Sequence, residues 1–235
     1  MKRRKRKLDN LVVVISGPSG SGKSTVIQEI LSKKKNTAQI STYTTREPRV
    51  GEIDGRQYNF ISPKEYLKLL NEKKLMACSR IEHNYYGMPL LEEKLQENNG
   101  MDLLIDMGVS GGLEIKERYP ETIMIYLIPK TEEQLLKQRG NRGKIRQERG
   151  IKQIEEVLKS RKYDWLVVNE NLQETVENVE IIMDFMRKKK FGKISKDEMK
   201  WYKSKLKGLI FFEKENIEFL TKFYNRDRGG IEINE

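Results

Sequence analysis

Short apolar runs alternate with segments of helical periodicity along most of the chain. The continuously apolar runs, rich in β-branched residues, are Leu11–Ser16, Met101–Asp106, Thr122–Ile128 and Trp165–Val168. Such runs are typical of strands buried on both faces of a parallel sheet. Apolar positions three and four residues apart predict helices at Ser24–Lys33, Pro63–Lys73, Pro89–Asn98, Gly112–Arg118, Glu132–Gln138 and Leu172–Lys189. The alternation predicts βαβ units and hence an α/β fold, with a parallel sheet flanked by helices.

Two regions depart from that alternation. Three shorter strands are predicted close together in the chain, at Ile40–Thr45, Tyr58–Ile61 and Leu75–Ile81. Beyond Lys190 the periodicity weakens, although aromatic and aliphatic residues continue to appear. We predict that residues 191–235 form a helical extension that docks on the core or on a partner, with a partly disordered tail as the alternative.

Composition places the chain among globular proteins. Its 235 residues are 37% hydrophobic and 34% charged, and no apolar run approaches the roughly 20 residues of a membrane-spanning helix. The apolar run behind the basic start of the chain is too short for a signal peptide. Cys78 is the only cysteine, which excludes an internal disulfide and a multi-cysteine zinc site. These features predict a cytoplasmic protein.

The net charge of +11 is concentrated in two segments. Residues 2–7 are all basic, and residues 187–207 contain ten basic and two acidic residues. The rest of the chain is nearly neutral, which argues against nucleic-acid binding by the body of the protein. We interpret residues 1–9 as a basic arm that is either simply solvated or in contact with nucleic acid or a partner. Trp201 and Tyr202 among the lysines permit base stacking or docking on the core.

The sharpest motif is the string Gly17-Pro18-Ser19-Gly20-Ser21-Gly22-Lys23-Ser24, which fits GxxxxGK[ST]. A predicted buried strand precedes it and a predicted helix follows it. Glycines allow backbone N–H groups to converge on phosphate oxygens, and the helix N-terminus adds its dipole. Lys23 is placed to reach the β- and γ-phosphates, and the Ser24 hydroxyl to hold Mg²⁺. The motif predicts a site for a nucleoside triphosphate.

Asp106 ends one of the predicted buried strands. Because ligands of open α/β sheets bind beyond the carboxyl ends of the strands, this carboxylate is expected near the phosphate loop. It suits a second oxygen ligand for Mg²⁺ beside Ser24. The alternative is a helix N-cap or a turn residue.

Further motifs narrow the class of protein. Residues 44–55 read TTREPRVGEIDG, residues 84–87 read NYYG, and residues 163–169 read YDWLVVN. With the phosphate loop, these strings resemble the guanylate kinase family over about residues 11–186. The resemblance implies ATP-dependent phosphoryl transfer, with Mg²⁺, to a nucleoside monophosphate such as GMP. It also implies a kinase domain over 10–190, with an acceptor-binding subdomain at 41–88 and an arginine-bearing lid at 139–150.

The resemblance implies roles for individual residues. The expected ATP-binding residues are Gly17, Ser19, Gly20, Ser21, Gly22, Lys23, Ser24, Thr25 and Asn169. The expected acceptor-binding residues are Thr42, Arg46, Arg49, Glu52, Tyr58 and Tyr86. The expected catalytic residues are Lys23, Arg46, Asp106, Arg142 and Arg149, with Arg139 and Arg146 as rivals in the lid. The expected metal ligands are Ser24 and Asp106.

The positions that read guanine depart from the family pattern. Guanine presents two donors, which the family meets with carboxylates, and one acceptor, which it meets with a small hydroxyl residue. The corresponding positions of this chain hold Ala77, Gly108 and Met88. A hydrogen bond to a charged group contributes roughly 1.5–3 kcal/mol, so losing two costs about 3–6 kcal/mol of guanine preference.

Three hypotheses follow from this departure. The first, which we favour, is a guanylate-kinase-like enzyme in which Ser79, Arg80, Glu82 or Ser110 reads the base. The second is a kinase of the same fold that acts on another nucleotide or a sugar phosphate. The third is a non-catalytic binding module, against which the complete phosphate loop argues, because such a module needs no Lys23 and Ser24 together.

Overall fold

The computed structural model describes residues 10–81, 83–131 and 143–211, together with residues 213, 216, 218 and 220. In chain order the elements are β1 (Val12–Ser16), α1 (Lys23–Lys33), β2 (Thr37–Gln39), β3 (Thr42–Thr44), β4 (Tyr58–Phe60), α2 (Pro63–Asn71), β5 (Leu75–Ile81), β6 (Asn84–Pro89), α3 (Leu91–Glu97), β7 (Asp102–Asp106), α4 (Val109–Arg118), β8 (Ile123–Pro129), α5 (Gly143–Ser160), β9 (Trp165–Asn169), α6 (Leu172–Phe191) and α7 (Lys196–Lys205). Among the described residues, no helix combines the length and the apolar composition needed to cross a membrane.

A five-stranded parallel sheet forms the centre of the molecule, in the order β2-β7-β1-β8-β9. Because successive side chains of a strand point to opposite faces, β1 contributes side chains to both layers of the core. Val13 and Ile15 are buried in the cluster that includes side chains of α1 and α6. Val14 is buried in the cluster that includes side chains of α4 and α5. The predicted α/β fold, with helices on both faces of a parallel sheet, is confirmed.

A smaller sheet forms from residues within 42–89, in the order β4-β3-β6-β5. β3 pairs parallel with β4 and antiparallel with β6. The helix α2 follows β4 and begins at a capping box, in which Ser62 and Glu65 each satisfy a backbone N–H of the other. This sheet lies within the range of the predicted acceptor-binding subdomain, whose boundaries stay a prediction.

The C-terminal segment that follows α6 packs on the core. Tyr202 lies in α7 and is 2% exposed, and Leu206, the C-cap of α7, is 5% exposed. Both belong to the buried cluster that includes side chains of α1 and α6. Beyond α7 the chain runs along the edge strand β9, where the Leu166 N–H donates to the Leu209 carbonyl at 2.8 Å. This pairing covers an edge that otherwise presents unpaired backbone groups.

An aromatic cluster joins that segment to the central sheet. Phe211 is fully buried, and its ring contacts Tyr126 and Tyr163 with centroid separations of 6.1 and 5.9 Å. Within the predicted extension at 191–235, the described residues form one complete helix, α7, and the extent of the extension stays a prediction. The segment also adds a backbone pairing along β9 that hydrophobic periodicity did not predict.

Several predicted boundaries differ from the observed ones for physical reasons. The strand predicted at Ile40–Thr45 is shorter, at Thr42–Thr44, and β2 precedes it. β2 and β6 were not predicted, since their sequences lack apolar alternation and pairing with neighbouring strands defines them. The helix α5 begins at Gly143, inside the lid predicted at 139–150, and continues beyond it. The helix predicted at 132–138 lies outside the described residues, as does the basic arm.

We predict that Phe211→Ala destabilises the protein by about 3–5 kcal/mol, because it leaves a cavity beside Tyr126 and Tyr163. The measurement is the free energy of unfolding in urea. Ile210→Ala is the matched control, since Ile210 is 46% exposed and its replacement is expected to cost no more than about 0.5 kcal/mol. Equal effects of the two substitutions would show that the segment does not contribute to the core.

Candidate functional site

The carboxyl ends of the parallel strands bring the candidate nucleotide-binding residues to one edge of the sheet. β1 leads into the phosphate loop, residues 17–22, while β7 ends at Asp106 and β9 at Asn169. Ile15 and Asp106 are partners in the β1–β7 register. Asp106 therefore lies beside the point where the chain leaves β1 and enters the loop.

The phosphate loop passes so close to β8 that its first residue must be glycine. Gly17 has a φ of +152°, and a Cβ built on it would lie 2.0 Å from the Leu127 carbonyl oxygen. At the other end of the loop, Lys23 begins α1 and its Nζ donates to the carbonyls of Gly17 and Pro18 at 3.0 and 3.1 Å. The ammonium group thus lies across the loop, over the backbone that would surround a bound phosphate.

The remaining loop residues form the turn between those ends. Ser19 is exposed at the tip and Gly20 has a φ of +86°. The Ser21 N–H donates to the Pro18 carbonyl at 3.2 Å, and Gly22 precedes the first residue of α1. The structure therefore brings together Gly17–Ser24 as the sequence motif predicted.

Two oxygens suited to a hard cation meet beside the loop. The Ser24 hydroxyl donates to Asp106 Oδ2 at 2.9 Å, and Thr25 follows on the exposed side of α1. Hydroxyl and carboxylate oxygens are ligands of Mg²⁺, which usually keeps waters and substrate phosphate oxygens in the rest of its shell. In the described part of the chain, no group of three or more His, Cys, Asp or Glu residues is placed to hold a metal. These two residues fit a cation that arrives with a nucleotide.

Asn169 braces the phosphate loop from the end of β9. Its Nδ2 donates to the Ser21 carbonyl at 2.9 Å, and its Oδ1 accepts from the Thr175 hydroxyl at 3.0 Å. Both ends of the amide therefore contact protein. The expected contact of Asn169 with the donor nucleotide stays a prediction.

Arg46 is the centre of a second cluster, on the small sheet. Its NH2 group donates to Glu52 Oε1 at 2.9 Å and its NH1 group to the Glu47 carbonyl at 2.6 Å. The guanidinium also lies over the rings of Tyr58 and Phe60, 5.3 and 5.6 Å from their centroids. A planar cation held by both an acid and aromatic faces is preoriented for a bidentate contact with an anion.

The ionisation of the Arg46–Glu52 pair is stable around neutral pH. Burial lowers the pKa of Arg46, but the hydrogen bond and the charge of Glu52 outweigh it and the pKa is raised overall. Burial raises the pKa of Glu52, but the hydrogen bonds from the Arg46 side chain and the Arg49 N–H leave that pKa lowered. Both groups therefore stay charged around neutral pH, at which an acceptor phosphate would also be ionised.

A tight turn brings Arg49 next to the same carboxylate. The Glu52 N–H donates to the Arg49 carbonyl at 3.0 Å, and Gly51, the third residue of this turn, has a φ of +86°. A positive φ at this position is typical of a type II turn and requires glycine. The Arg49 N–H in turn donates to Glu52 Oε2 at 2.7 Å. Glu52 thus fixes the backbone at Arg49 and the guanidinium of Arg46, while the Arg49 side chain stays exposed.

Two tyrosines lie on the same face of the small sheet as this pair. Thr42 is the register partner of Tyr58, and Thr44 is the partner of Tyr86. The tyrosine rings are 6.2 Å apart between centroids. Burial, followed by the negative charge of Asp106, raises the pKa of Tyr58. The phenol therefore stays protonated at neutral pH and can donate a hydrogen bond.

Comparison with known proteins identifies the family of the chain. The guanylate kinase family model matches residues 9–186 of the chain. The chain belongs to the guanylate kinase family. As a guanylate kinase family member it is a nucleoside monophosphate kinase, which is a transferase.

Individual relatives agree with this membership. The chain is 33% identical over 183 residues to a guanylate kinase from Caldanaerobacter subterraneus subsp. tengcongensis, which covers 75% of this chain and 88% of the relative. It is 35% identical over 174 residues to a guanylate kinase from Prochlorococcus marinus subsp. pastoris, and this match covers 72% of this chain and 94% of the relative. The crystal structure of guanylate kinase from Anaplasma phagocytophilum superposes with a TM-score of 0.60 over 76% of this chain and 86% of that one, at 24% identity. The last comparison supports the fold alone.

The lid of this guanylate kinase family member is described only in part. Arg139 and Arg142 lie outside the described residues, while Arg146 and Arg149 lie in the first turns of α5, where only the backbone is described. The choice among the four lid arginines stays a prediction.

The three positions predicted to depart from the family's guanine readers differ in exposure. Ala77 and Met88 are 2% and 0% exposed, and Gly108 is the exposed N-cap of α4. Ala77 sits at an irregularity of β5 with a φ of +49°, and its N–H donates to Glu114 Oε1 at 3.0 Å. Glu114 was not predicted as a site residue, since spacing alone does not bring α4 to β5.

The structure separates the substitute base readers named from the sequence. Ser79 is the register partner of Tyr86 and therefore shares the tyrosine face. Arg80 is the partner of Tyr85 on the opposite face, where it lies 5.6 Å from the centroid of that ring. Its role as a base reader stays a prediction. Ser110 is exposed in the first turn of α4, and Glu82 lies outside the described residues.

Two residues of the Arg46 cluster were missed. Phe60 lies beneath the guanidinium, and the Thr44 hydroxyl accepts from the Arg46 N–H at 3.2 Å. The two-residue spacing from Tyr58 to Phe60 in a predicted strand was a signal for the first. Nothing in the spacing of the sequence indicated the contact of the Thr44 hydroxyl with the Arg46 N–H.

We predict that Glu52→Gln raises the KM for the acceptor monophosphate about tenfold, ~1.4 kcal/mol, because it removes the charged partner of Arg46. The KM for the donor nucleotide should change little. Glu47→Gln is the matched control, because Glu47 contacts Arg46 through its backbone carbonyl rather than its side chain. A parallel rise in the KM of both substrates would contradict the assignment.

The same variant has a defined pH dependence of stability. Because the folded-state pKa of Glu52 is lowered, its stabilising contribution is fully present above about pH 5 and is lost as the pH falls through the lowered pKa. The difference in unfolding free energy between the wild type and Glu52→Gln should therefore shrink on acidification.

Proposed function

We propose that the protein transfers the terminal phosphoryl group of Mg-bound ATP to a nucleoside 5′-monophosphate, with weak discrimination between bases. In this reaction an oxygen of the acceptor phosphate bonds to the γ-phosphorus, the bond to the β–γ bridging oxygen breaks, and ADP and a nucleoside diphosphate leave. The observation that carries the proposal is the meeting of Lys23, Ser24 and Asp106 at the phosphate loop. The weak discrimination rests on the family resemblance, which implies guanine-reading roles for the positions that hold Ala77, Met88 and Gly108 here.

The phosphate machinery supports the transfer step. Lys23 lies over the loop backbone, and the Arg46–Glu52 pair, Tyr58 and Tyr86 lie on the facing surface of the small sheet. These groups supply positive charge and hydrogen-bond donors on both sides of the transferred group. The acceptor oxygen is already ionised at neutral pH, so no general base is needed and catalysis consists of positioning and charge stabilisation.

Mg²⁺ belongs to the proposal as the companion of ATP. The Ser24 hydroxyl and Asp106 Oδ2 are the oxygens that would hold it, and their separation of 2.9 Å supports this role. When bound, the ion would neutralise charge on the phosphate oxygens. Lys23 and the lid arginines would act on the remaining charge of the transferred group.

Weak base discrimination follows from the side chains on the acceptor-facing surface. Between β3, β4, β5 and β6, the residues that share this face in the strand register are Thr42, Thr44, Tyr58, Phe60, Met76, Ser79, Ile81, Asn84, Tyr86 and Met88. No carboxylate is among them. Among the described residues, the Glu114 carboxylate accepts a hydrogen bond from the Ala77 backbone and is a candidate for pairing with guanine donors.

We predict comparable kcat/KM values, within about tenfold, for GMP and at least one of AMP, UMP and CMP. The reason is that two missing charged hydrogen-bond acceptors remove about 10²–10⁴ of guanine preference. The measurement is transfer from ATP to a panel of GMP, dGMP, AMP, UMP, CMP, TMP and ribose phosphates, with Lys23→Ala as the inactive control.

Three results would contradict parts of this proposal. A preference for GMP above about a thousandfold would mean that other groups read the base, and Glu114→Gln would then test the remaining carboxylate. Turnover of ribose phosphates alone would favour a kinase for another phosphorylated acceptor. ATP binding without transfer to any acceptor would favour a binding module.

Gly108→Asp provides a gain-of-function prediction. A Cβ at Gly108 meets nothing within 4 Å, and the residue is the N-cap of α4, with a φ of −65°. Aspartate is a favoured N-cap, so the variant should fold with stability unchanged or raised by a few tenths of a kcal/mol. We expect the GMP preference to rise about 10–100-fold. Gly108→Asn caps the helix without a charge, so an equal rise in both variants would rule out reading by the carboxylate.

A further inference from the structure

The exposed face of α7 carries a line of lysines that the kinase reaction does not use. Lys196, Lys200 and Lys203 follow at spacings of four and three residues, and Lys207 continues the line just beyond the helix. All four are exposed. At these spacings neighbouring side chains are about 5–6 Å apart at Cβ, and the line extends over about 16 Å. We call these four residues the lysine line.

The lysine line differs from three of the five basic residues between Arg187 and Lys193, which form ion pairs. Arg187 forms an ion pair with Asp102, Lys188 with Glu198 and Lys190 with Glu121. Within the described residues, no carboxylate forms an ion pair with any member of the lysine line. Asp197, the one other acid of α7, lies in its first turn, where a negative charge complements the helix dipole.

An exposed indole lies on a neighbouring flank of α7. Trp201 is 47% exposed and packs edge-on against Tyr202 at a centroid distance of 5.0 Å. Tyr202 is itself buried, and its hydroxyl donates to Asp184 of α6. Trp201 follows Lys200 directly, about 100° around the helix from it, and the exposed Lys205 follows Trp201 by one turn. The exposed side of α7 therefore presents the lysine line on one flank and an aromatic ring with a further lysine on the other.

This surface is remote from the phosphate-binding edge. Lys190, near the end of α6, donates to the carbonyl of Asn10, which precedes β1, at 3.4 Å. Leu209, beyond α7, accepts from Leu166 near the start of β9. Both ends of α7 are therefore tied to the amino ends of the parallel strands, whereas the phosphate loop lies at their carboxyl ends. The lysine line does not belong to the ATP or acceptor site.

We propose that the lysine line and Trp201 form a binding surface for single-stranded nucleic acid. Lysines in a row meet successive phosphates, and an exposed aromatic ring stacks on an unpaired base. A membrane surface is disfavoured, because lipid-binding helices insert an apolar face. The apolar face of α7, represented by Tyr202 and Leu206, is instead buried against the core.

The test is fluorescence anisotropy of a labelled 12-nucleotide oligouridylate titrated with the full-length protein at 50–200 mM salt. The triple variant Lys196→Gln, Lys200→Gln and Lys203→Gln should bind at least tenfold more weakly at 50 mM salt. Its slope of log affinity against log salt should be shallower by about 2, since each phosphate contact of a single strand contributes about 0.7. Kinase activity should be unchanged.

A matched control removes the same charge elsewhere. Lys35, Lys64 and Lys68 are exposed on other surfaces, and their replacement by Gln should leave both the affinity and the salt slope close to wild type. Trp201→Ala should weaken binding about tenfold without changing the slope, and Trp201→Phe should retain most of the affinity.

Four outcomes would overturn the proposal. Binding unaffected by the triple variant would assign the contact to another basic segment, such as residues 2–7. Binding unaffected by Trp201→Ala would remove the stacking role. Binding to phosphatidylserine–phosphatidylcholine vesicles but not to the oligonucleotide would assign the surface to membranes. No binding to either probe at 50 mM salt would leave the lysine line as a solvated helix face.

Discussion

The register of β1 between β7 and β8 is the constraint on which the rest of the site depends. Parallel strands bring all their carboxyl ends to one edge, so the loop that leaves β1, the acid that ends β7 and the amide that ends β9 meet there. The close passage of Gly17 against the Leu127 carbonyl is a direct result of this register. A bulkier residue would push the loop away from β8 and separate Lys23 from the backbone it crosses.

The second half of the site depends on one carboxylate. Glu52 accepts from the Arg46 guanidinium and from the Arg49 backbone, so a single side chain sets the direction of one arginine and the path of the loop that carries the other. The aromatic rings beneath Arg46 restrict it further. Such preorganisation matters because a phosphate dianion must give up water, and donors already in place avoid the cost of ordering them on binding.

The body of the protein and its C-terminal segment have different electrostatic roles. In the body of the chain, basic residues are nearly balanced by acidic ones. At the end of α6, Arg187 is neutralised by Asp102, whereas within the described residues the lysine line of α7 forms no ion pair. The same segment closes the sheet edge through Phe211 and its neighbours. It is thus both a structural part of the fold and a separate charged surface.

The sequence by itself determined the fold class and predicted the phosphate loop and the Arg46–Glu52 pair, because each is encoded locally. Apolar β-branched runs predict buried strands, glycines at set spacings predict the loop, and the string from Thr44 to Gly55 contains both members of the pair. Tertiary structure alone decided the rest. β2 and β6 are strands because they pair with neighbouring strands. The strand register puts Arg80 on the face opposite Tyr86. Glu114 reaches β5 only because α4 packs on that strand. These features depend on which segments meet in space, and sequence periodicity carries no information on that.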